Sequence, residues 1–263
     1  MNYRGNIKNH RTEREPVLNS FRAAQLEWTK YDAFTGPTLQ SSLWEPLSFG
    51  PLIRLEPKAR TTVEDGVLTV EIPEFTNCDP SNQGLDNPKH VIFSKKAFRL
   101  PVNGVARFSV ELHAEIIGDG SGDYRQGVAA FIVADTTGGT HMIFNILSMG
   151  DRFFAEHEVL AVPGQDNPFT RMIEDPLFFA RARSRADPDF RRCSVEIDRF
   201  RGQVVWKIDD EILNVAAGLT GLPEEVHMGF GVFTLVPVGE GEGSCHGQGA
   251  RASWRNFEYS LPA

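Results

Sequence analysis

The stretch from Arg107 to Ile117 reads RFSVELHAEII, and its side chains alternate between polar and apolar. Every second residue from Phe108 to Ile116 is apolar, and the residues between them are charged or polar. A period of two residues, kept along the whole stretch, predicts a β-strand with one face against a core. The fold is therefore expected to be built around a half-buried sheet.

Segments on both sides of this strand show the same β signals and are separated by turn residues. Asp65-Gly66 and Arg201-Gly202 favour tight turns between neighbouring strands. Many short strands with almost no helical pattern between them predict a sandwich or a barrel. We expect further strands at 63–72, 89–98, 126–134, 140–147, 152–160, 192–200, 203–213, 226–236 and 251–260.

Two segments break this rhythm. Apolar residues recur at helical spacing from Val17 to Trp28, which predicts a helix over residues 16–30 after a polar tail. That helix packs either on its own domain or on a second copy of the chain, in a homodimer. Residues 161–190 are rich in Phe and Arg and contain several prolines. They predict an inserted loop or short helix over one face of the sheet.

The chain has 263 residues and a net charge of −8. Nucleic acids and anionic membranes attract basic surfaces, so this acidic balance argues against both as partners. The three cysteines, Cys78, Cys193 and Cys245, are odd in number and widely spaced, which does not suggest a disulfide framework. Because the N-terminus carries no apolar leader, the expected compartment is the cytoplasm.

Several phrases of the sequence resemble segments of the concanavalin-A-like lectin/glucanase superfamily. They are YDAFTG at 31–36 with SLW at 42–44, EDGVLTV at 64–70, the strand pair at 196–209, and SWRNFEY at 253–259. The chain also resembles a microbial family within that superfamily. The resemblance implies an all-β fold, in which a tail and helix at 1–30 precede one antiparallel two-sheet jelly-roll sandwich at 31–263 with a concave face. It is specific for fold rather than function, because such folds host lectins, glycosidases, lyases and binding modules.

One departure from that superfamily concerns catalysis. Laminarinase-type hydrolases of this fold carry Glu-x-Asp-x-x-Glu on a concave strand, and this sequence has no such motif. Its nearest stretch, Glu156-His157-Glu158, lacks the central Asp and the third carboxylate. A retaining glycosidase of that type is therefore not expected, and the calcium and sugar ligands of legume-type lectins are not recognisable either.

The strand around Glu156 is the most informative candidate for chemistry. Glu156 and Glu158 share one face with Phe154, and same-face neighbours lie about 6.6 Å apart at a rise of ~3.3 Å per residue. Carboxyl groups are about 5–5.5 Å apart in retaining glycosidases and roughly 6.5–9.5 Å apart in inverting ones. The spacing permits acid/base chemistry; the alternative is a solvated face with two ordinary carboxylates.

Neighbouring strands offer further polar groups. His141 and Asn145 lie opposite an apolar stripe, and Glu111 and His113 lie on the polar face of 107–117. If these faces line one concave groove, histidines beside carboxylates form acid/base pairs near neutral pH; the alternative is that the faces are convex and wet. The predicted site has Glu156, Glu158, His141 and His113 as catalytic residues, and Asn145, Glu111, Phe154, Arg171 and Phe178 as substrate-binding residues.

No metal and no cofactor are expected at this site. The histidines lack the spacing of zinc ligands, and Asp119 to Asp123 is only a weak oxygen-rich candidate for calcium. The glycines around Cys245-His246 lack the strand–turn–helix context of a dinucleotide site.

Two classes of function follow from these observations. The first is a cofactor-independent enzyme that acts on a partly apolar small molecule by isomerisation, cyclisation, elimination or hydrolysis. The second is a non-catalytic, lectin-like module that binds a glycan or another ligand in the same groove. The chain has only four Trp and four Tyr, so few side chains are available to stack on sugar rings, which favours the first class.

Overall fold

The computed structural model describes residues 27–49, 52–53, 55–76, 87–118, 123–137, 139–150, 152–160, 168–174, 190–239 and 244–262. Its strands are β1 (Thr29–Asp32), β2 (Trp44–Pro46), β3 (Ser48–Phe49), β4 (Leu52–Ile53), β5 (Arg60–Glu64), β6 (Val67–Ile72), β7 (Lys89–Ser94), β8 (Phe98–Arg99), β9 (Ala106–Ile117), β10 (Val128–Ala134), β11 (Met142–Ser148), β12 (Phe153–Val159), β13 (Phe169–Glu174), β14 (Arg191–Asp198), β15 (Gln203–Ile208), β16 (Glu211–Ala216), β17 (Glu225–Phe233) and β18 (Gly249–Ser260).

Sixteen of these strands form two large antiparallel sheets, the jelly-roll sandwich that the sequence predicts, and β3 pairs with β4 in a separate two-stranded sheet. The first sheet has the order β16-β15-β14-β9-β18-β6-β5, with β1 also paired to β18. The second sheet has the order β13-β12-β11-β10-β17-β7-β2, with β8 also paired to β17. The strand predicted at 107–117, β9, lies between β14 and β18 in the middle of the first sheet.

The core lies between the two sheets. The apolar side of β9 packs there, and Phe144 and Trp206 are buried there as expected, with ring centroids 6.1 Å apart. On the second sheet, Phe230 contacts the rings of Trp254 at 5.1 Å and Phe257 at 5.9 Å on the first sheet. Aromatic side chains from both sheets therefore interlock across the sandwich.

The outer faces of the two sheets differ in chemistry. In the first sheet, strands such as β6 and β15 alternate between buried and half-buried residues, as expected for a sheet with one wet face. In the second sheet, all seven residues of β10 are buried. A separate apolar cluster covers that sheet's outer face, which we call the apolar outer face; it consists of Val91, Phe93, Val128, Ala130, Ile132, Ala134, Leu147, Phe154 and Phe233.

Local turn chemistry agrees with the sequence. Asp65 and Gly66 join β5 to β6 with left-handed backbone angles (φ 50° and 78°), which is the geometry of a two-residue hairpin turn. Asp209 and Asp210 form a similar left-handed turn. It divides the single strand expected at 203–213 into β15 and β16, because two consecutive positive φ angles reverse the chain.

Two expectations about segments need correction. Thr29 and Lys30 belong to β1, which pairs with β18, so the predicted helix at 16–30 does not extend through them. Residues 16–26 lie outside the described part of the chain. Within the expected insertion at 161–190, residues 169–174 form β13, an edge strand hydrogen-bonded to β12, and the rest is outside the described residues apart from Pro168 and Phe190.

A search of the described residues for a helix long and apolar enough to span a bilayer finds none.

Candidate functional site

Glu156 and Asn145 form a buried polar pair on the outer face of the second sheet. They are direct partners on β12 and β11, and the Asn145 Nδ2 amide donates a hydrogen bond of 2.6 Å to Glu156 Oε2. Only 3% of Glu156 and 4% of Asn145 are exposed. Strand alternation puts both on this face, because Phe144 and Ile146 on either side of Asn145 point into the core.

Apolar side chains surround this pair along and across the strands. Ile132 lies beside Asn145 on β10, and Met172 lies beside Glu156 on β13. One step along the sheet, Leu147 and Phe154 form the next pair of the same face. The carboxyl group of Glu156 is thus held in a hydrocarbon environment, with the Asn145 amide as its hydrogen-bond donor among the described residues.

Burial, and to a lesser extent the nearby charge of Glu158, raise the pKa of Glu156 from 4.5 to about 7, although the Asn145 hydrogen bond acts in the opposite direction. A carboxylate loses its hydration when it is buried, so the neutral acid is favoured. A group with a pKa near neutrality can both release and accept a proton under ordinary conditions.

Glu158 marks the more open end of the same face. It is half-buried and accepts a long hydrogen bond of 3.4 Å from Thr170 Oγ1 on β13. Burial raises its pKa, although Thr170 and the positive charge of Lys89 oppose the shift. Its partner Ile143 on β11 and the nearby Met172 are also only partly buried, so this end of the face is the less covered one.

The amide oxygen of Asn145 is unsatisfied. Among the described residues, no donor lies within hydrogen-bond distance of Asn145 Oδ1, although the atom is fully buried. A buried carbonyl without a partner is uncommon, since leaving one unpaired costs about 1–3 kcal/mol. The site therefore holds an acceptor whose partner is not supplied by these residues.

His157, between the two glutamates in sequence, does not belong to this face. Its ring packs against Phe144 (5.1 Å) and Phe169 (4.8 Å). Burial lowers its pKa, and the charge of Arg171 lowers it further. It is held as a neutral core histidine.

The expectation that all candidate residues share one groove is wrong for Glu111 and His113. Both lie on β9 in the first sheet, on its outer face, with the whole core between them and Glu156. Glu111 pairs there with Arg255 at 2.5 Å and accepts a hydrogen bond from Asn256. These contacts are those of an ordinary charged sheet face. The described pairings of β9 are with strands of the first sheet, so Glu111 and His113 do not reach Glu156.

His141, Arg171 and Phe178 are not brought to the pair either. His141 precedes β11 with a left-handed backbone (φ 55°), so it leaves the alternation that placed it beside Asn145. Arg171 is the partner of His157 on β13 and therefore faces the other side of the sheet from Glu156. Phe178 lies outside the described residues. Phe154 does share the face of Glu156 and contacts Tyr124 at 5.0 Å.

Sequence reasoning missed the apolar residues of this face and the strand that carries Met172. One available signal was the run VAAFIVA at 128–134, which is apolar without alternation. A continuous apolar run in a strand indicates burial on both faces. The strand β13 had no comparable signal, since its side chains alternate weakly and Pro168 precedes it.

An open depression of about 490 Å³ lies at the β10–β11 turn, and its lining includes Asp135, Thr140 and Glu224. It does not include the Glu156–Asn145 pair. Although burial acts to raise the pKa of Asp135, hydrogen bonds from Thr140 and Thr137 lower it overall. Because the Asp135 carboxylate already accepts hydrogen bonds within its own loop, we do not assign it a catalytic role.

The described residues contain no group of three or more His, Cys, Asp or Glu that could hold a metal ion. Cys193 and Cys245 are free and buried, and burial raises the pKa of both thiols. Neither has the lowered pKa of a nucleophilic cysteine. Cys78 and most of the loop at 119–123 lie outside the described residues.

A family model described as "Family of unknown function (DUF6081)" matches residues 31–261. The chain belongs to this family. A search of curated proteins found no match. The fold and the location of the buried pair therefore carry the functional argument.

Solved structures share the fold at low sequence identity. The laminarinase catalytic domain from Thermotoga petrophila RKU-1 superposes with a TM-score of 0.55 at 14% identity, over 90% of this chain and 100% of that one. Porphyranase B from Zobellia galactanivorans superposes with a TM-score of 0.54 at 13% identity, over 94% of this chain and 98% of that one. The endo-β-1,3-glucanase from Pyrococcus furiosus superposes with a TM-score of 0.55 at 11% identity, over 90% of this chain and 96% of that one. At such identities the likeness establishes the concanavalin-A-like sandwich and no more.

Proposed function

We propose that this protein is an acid/base enzyme that binds a small molecule at the outer face of its second sheet and moves a proton through Glu156. The observation that carries the proposal is the buried Glu156–Asn145 pair in an apolar setting. Burying an ionisable group without a full set of partners costs stability. Such groups cluster at functional sites, where the shifted pKa is useful.

In this proposal each group has a task. Asn145 Nδ2 holds Glu156 Oε2 and orients the carboxyl group. The second oxygen, Oε1, is then the one that carries the transferred proton. Glu158, on the same face, increases the proton affinity of Glu156 by its negative charge. Isomerisation, cyclisation, elimination and hydrolysis each need one such proton transfer.

A second candidate is a glycan-directed function, either hydrolysis or binding. The solved structures that share the fold are named as glucanases, a laminarinase and a porphyranase. Glu156 and Glu158 lie about 6.6 Å apart along the strand, within the roughly 6.5–9.5 Å range of inverting glycosidases. In this version Glu156 is the general acid and Glu158 the base.

A Glu156→Gln variant tests the proposal. Purified wild-type and variant protein are incubated with small-molecule extracts and with a panel of β-glucans, and products are followed by mass spectrometry. We expect the wild type to convert at least one compound and the variant to do so at a rate at least tenfold lower, about 1.4 kcal/mol in transition-state stabilisation.

Glu196→Gln is the matched control. Glu196 lies on the polar face of the first sheet, paired with Lys207 at 2.6 Å, and its replacement should leave the conversion unchanged. Equal rates for wild type and Glu156→Gln would contradict the proposal. Conversion of β-glucans alone would favour the glycan-directed candidate.

A further inference from the structure

The apolar outer face of the second sheet sets the chemistry of what can bind beside Glu156. Its nine buried members are hydrocarbon side chains, and Ile143, Met149 and Met172 extend it at lower burial. Of the β11 and β12 side chains on this face, Asn145, Glu156 and Glu158 are polar, and Thr170 on β13 lies beside Glu158. The first sheet's outer face, by contrast, carries ion pairs such as Arg107–Glu196.

A sugar ring fits such a surface poorly. Each ring bears several hydroxyl groups, and a hydroxyl that is buried without a partner costs about 1–3 kcal/mol in protein mutational data. Glu156, Asn145 and Glu158, with Thr170 on β13, can satisfy only a few of the hydroxyls of even a short glycan. A hydrocarbon skeleton, in contrast, gains about 25 cal/mol for each Å² of apolar surface removed from water.

Asn145 adds a directional requirement. Its Nδ2 group already donates to Glu156, while no described residue supplies a donor to its buried Oδ1 atom. Because the atom is fully buried, a ligand reaches it only where neighbouring side chains move aside, and a hydroxyl or N–H group of that ligand can then donate to this oxygen. A ligand without such a group leaves the oxygen unpaired and loses the corresponding binding free energy.

We propose that the ligand of this site is a mainly hydrocarbon small molecule with a hydroxyl or N–H group that donates a hydrogen bond to Asn145 Oδ1. This inference rests on the proposed function, since it concerns the substrate of the same site. It makes Asn145 the residue that selects for the donor, while Glu156 performs the proton transfer.

The test uses a matched pair of probes, 1-naphthol and 1-methoxynaphthalene, which differ in the presence of the donor. Laminaritriose represents the glycans. Binding is measured by titration calorimetry at about pH 5, where Glu156 keeps its proton and does not compete as a carboxylate acceptor. We expect 1-naphthol to bind about tenfold more tightly than 1-methoxynaphthalene, and laminaritriose not to bind.

Asn145→Leu removes the acceptor and should abolish the preference for 1-naphthol. Asn214→Leu, the same substitution on the edge strand β16 of the first sheet, should keep it. If Asn145→Leu does not fold, the ¹³Cγ resonance of Asn145 in the wild type replaces the comparison. That resonance should shift with 1-naphthol and not with 1-methoxynaphthalene.

Equal binding of the two naphthalenes, no binding of either, or binding of laminaritriose would overturn the inference. The proposed function has a separate readout in the ¹³C titration of the Glu156 carboxyl group. If Glu156 titrates at its ordinary pKa, the proposed function is wrong. If it titrates near neutrality while the probes fail, the assignment of the ligand class alone is wrong.

Discussion

Glu156 is a carboxyl group that the fold holds out of water beside one amide. The hydrogen bond from Asn145 favours the ionised form, but burial and the charge of Glu158 outweigh it, so the pKa rises to about 7. The folded protein therefore keeps a proton on Glu156 that the unfolded chain releases above its ordinary pKa of 4.5. The stability contributed by this proton is fully present below that value and is lost as the pH rises through the folded pKa.

Glu156→Gln should therefore flatten the pH dependence of folding. Gln is neutral at every pH, so the variant lacks the proton release that destabilises the wild type. We expect the unfolding free energy of the wild type, relative to the variant, to fall by about 2 kcal/mol between roughly pH 5 and 8. Urea unfolding at a series of pH values measures it.

Glu196→Gln controls for the exchange of a carboxylate for an amide on a solvent-facing strand. Parallel stability curves for wild type and Glu156→Gln across this pH range would contradict the raised pKa of Glu156.

At the scale of elements, β17 is adapted to the large side chains of β7, its neighbour in the second sheet. Gly229 and Gly231 are partners of Phe93 and Val91 on β7. A Cβ atom at Gly229 would stand 2.6 Å from the Phe93 ring and 2.8 Å from the Ile92 carbonyl oxygen. The glycines thus leave the space that the Phe93 and Val91 side chains occupy on the apolar outer face.

Gly229→Ala should destabilise the protein. Alanine ordinarily suits a strand interior better than glycine, by about 0.5–1 kcal/mol, but here the added methyl group displaces Phe93 and presses on backbone. A net loss of about 1–3 kcal/mol in unfolding free energy is expected from denaturant titration. Gly239→Ala, whose Cβ would meet only ordinary contacts at 3.4 Å or more, should change stability by much less; equal effects would contradict the steric explanation.

At the scale of the whole molecule, the aromatic core joins the two sheets into one cooperative unit. Phe230 is fully buried on the second sheet and contacts Trp44 at 5.1 Å as well as Trp254 across the sandwich. Because both sheets bury their inner faces against each other, neither is expected to be stable without the other.

Phe230→Ala should lower the unfolding free energy by about 3–5 kcal/mol, since it removes a large ring and leaves a cavity between the sheets. Far-ultraviolet circular dichroism and tryptophan fluorescence should report the same midpoint in urea. Phe200→Ala, at a side chain that is 76% exposed, should have little effect. Separate transitions by the two probes would show that the sheets unfold independently.

Much of the architecture could be predicted because its signals are local. The period of two residues in β9 identified a strand and its buried side chains, from Phe108 to Ala114, without knowledge of any partner. The turn at Asp65-Gly66 could also be predicted from the sequence, since Asp and Gly are the residues that adopt the positive φ angles of such turns. The helix prediction failed at Thr29 and Lys30 because pairing with β18, a long-range contact, overrode the local apolar spacing.

By itself, the sequence determined which side chains share a face within each strand, and so it grouped Glu156 with Glu158 and Glu111 with His113. Only the tertiary structure decided that β9 and β12 belong to different sheets, which separates those two groups by the core. It also decided that the outer face around Glu156 is apolar, because residues on β7, β10 and β17 meet there across long distances in sequence. The physical reason is that alternation is a property of one backbone, whereas a site is made by strands whose pairing depends on the packing of the whole chain.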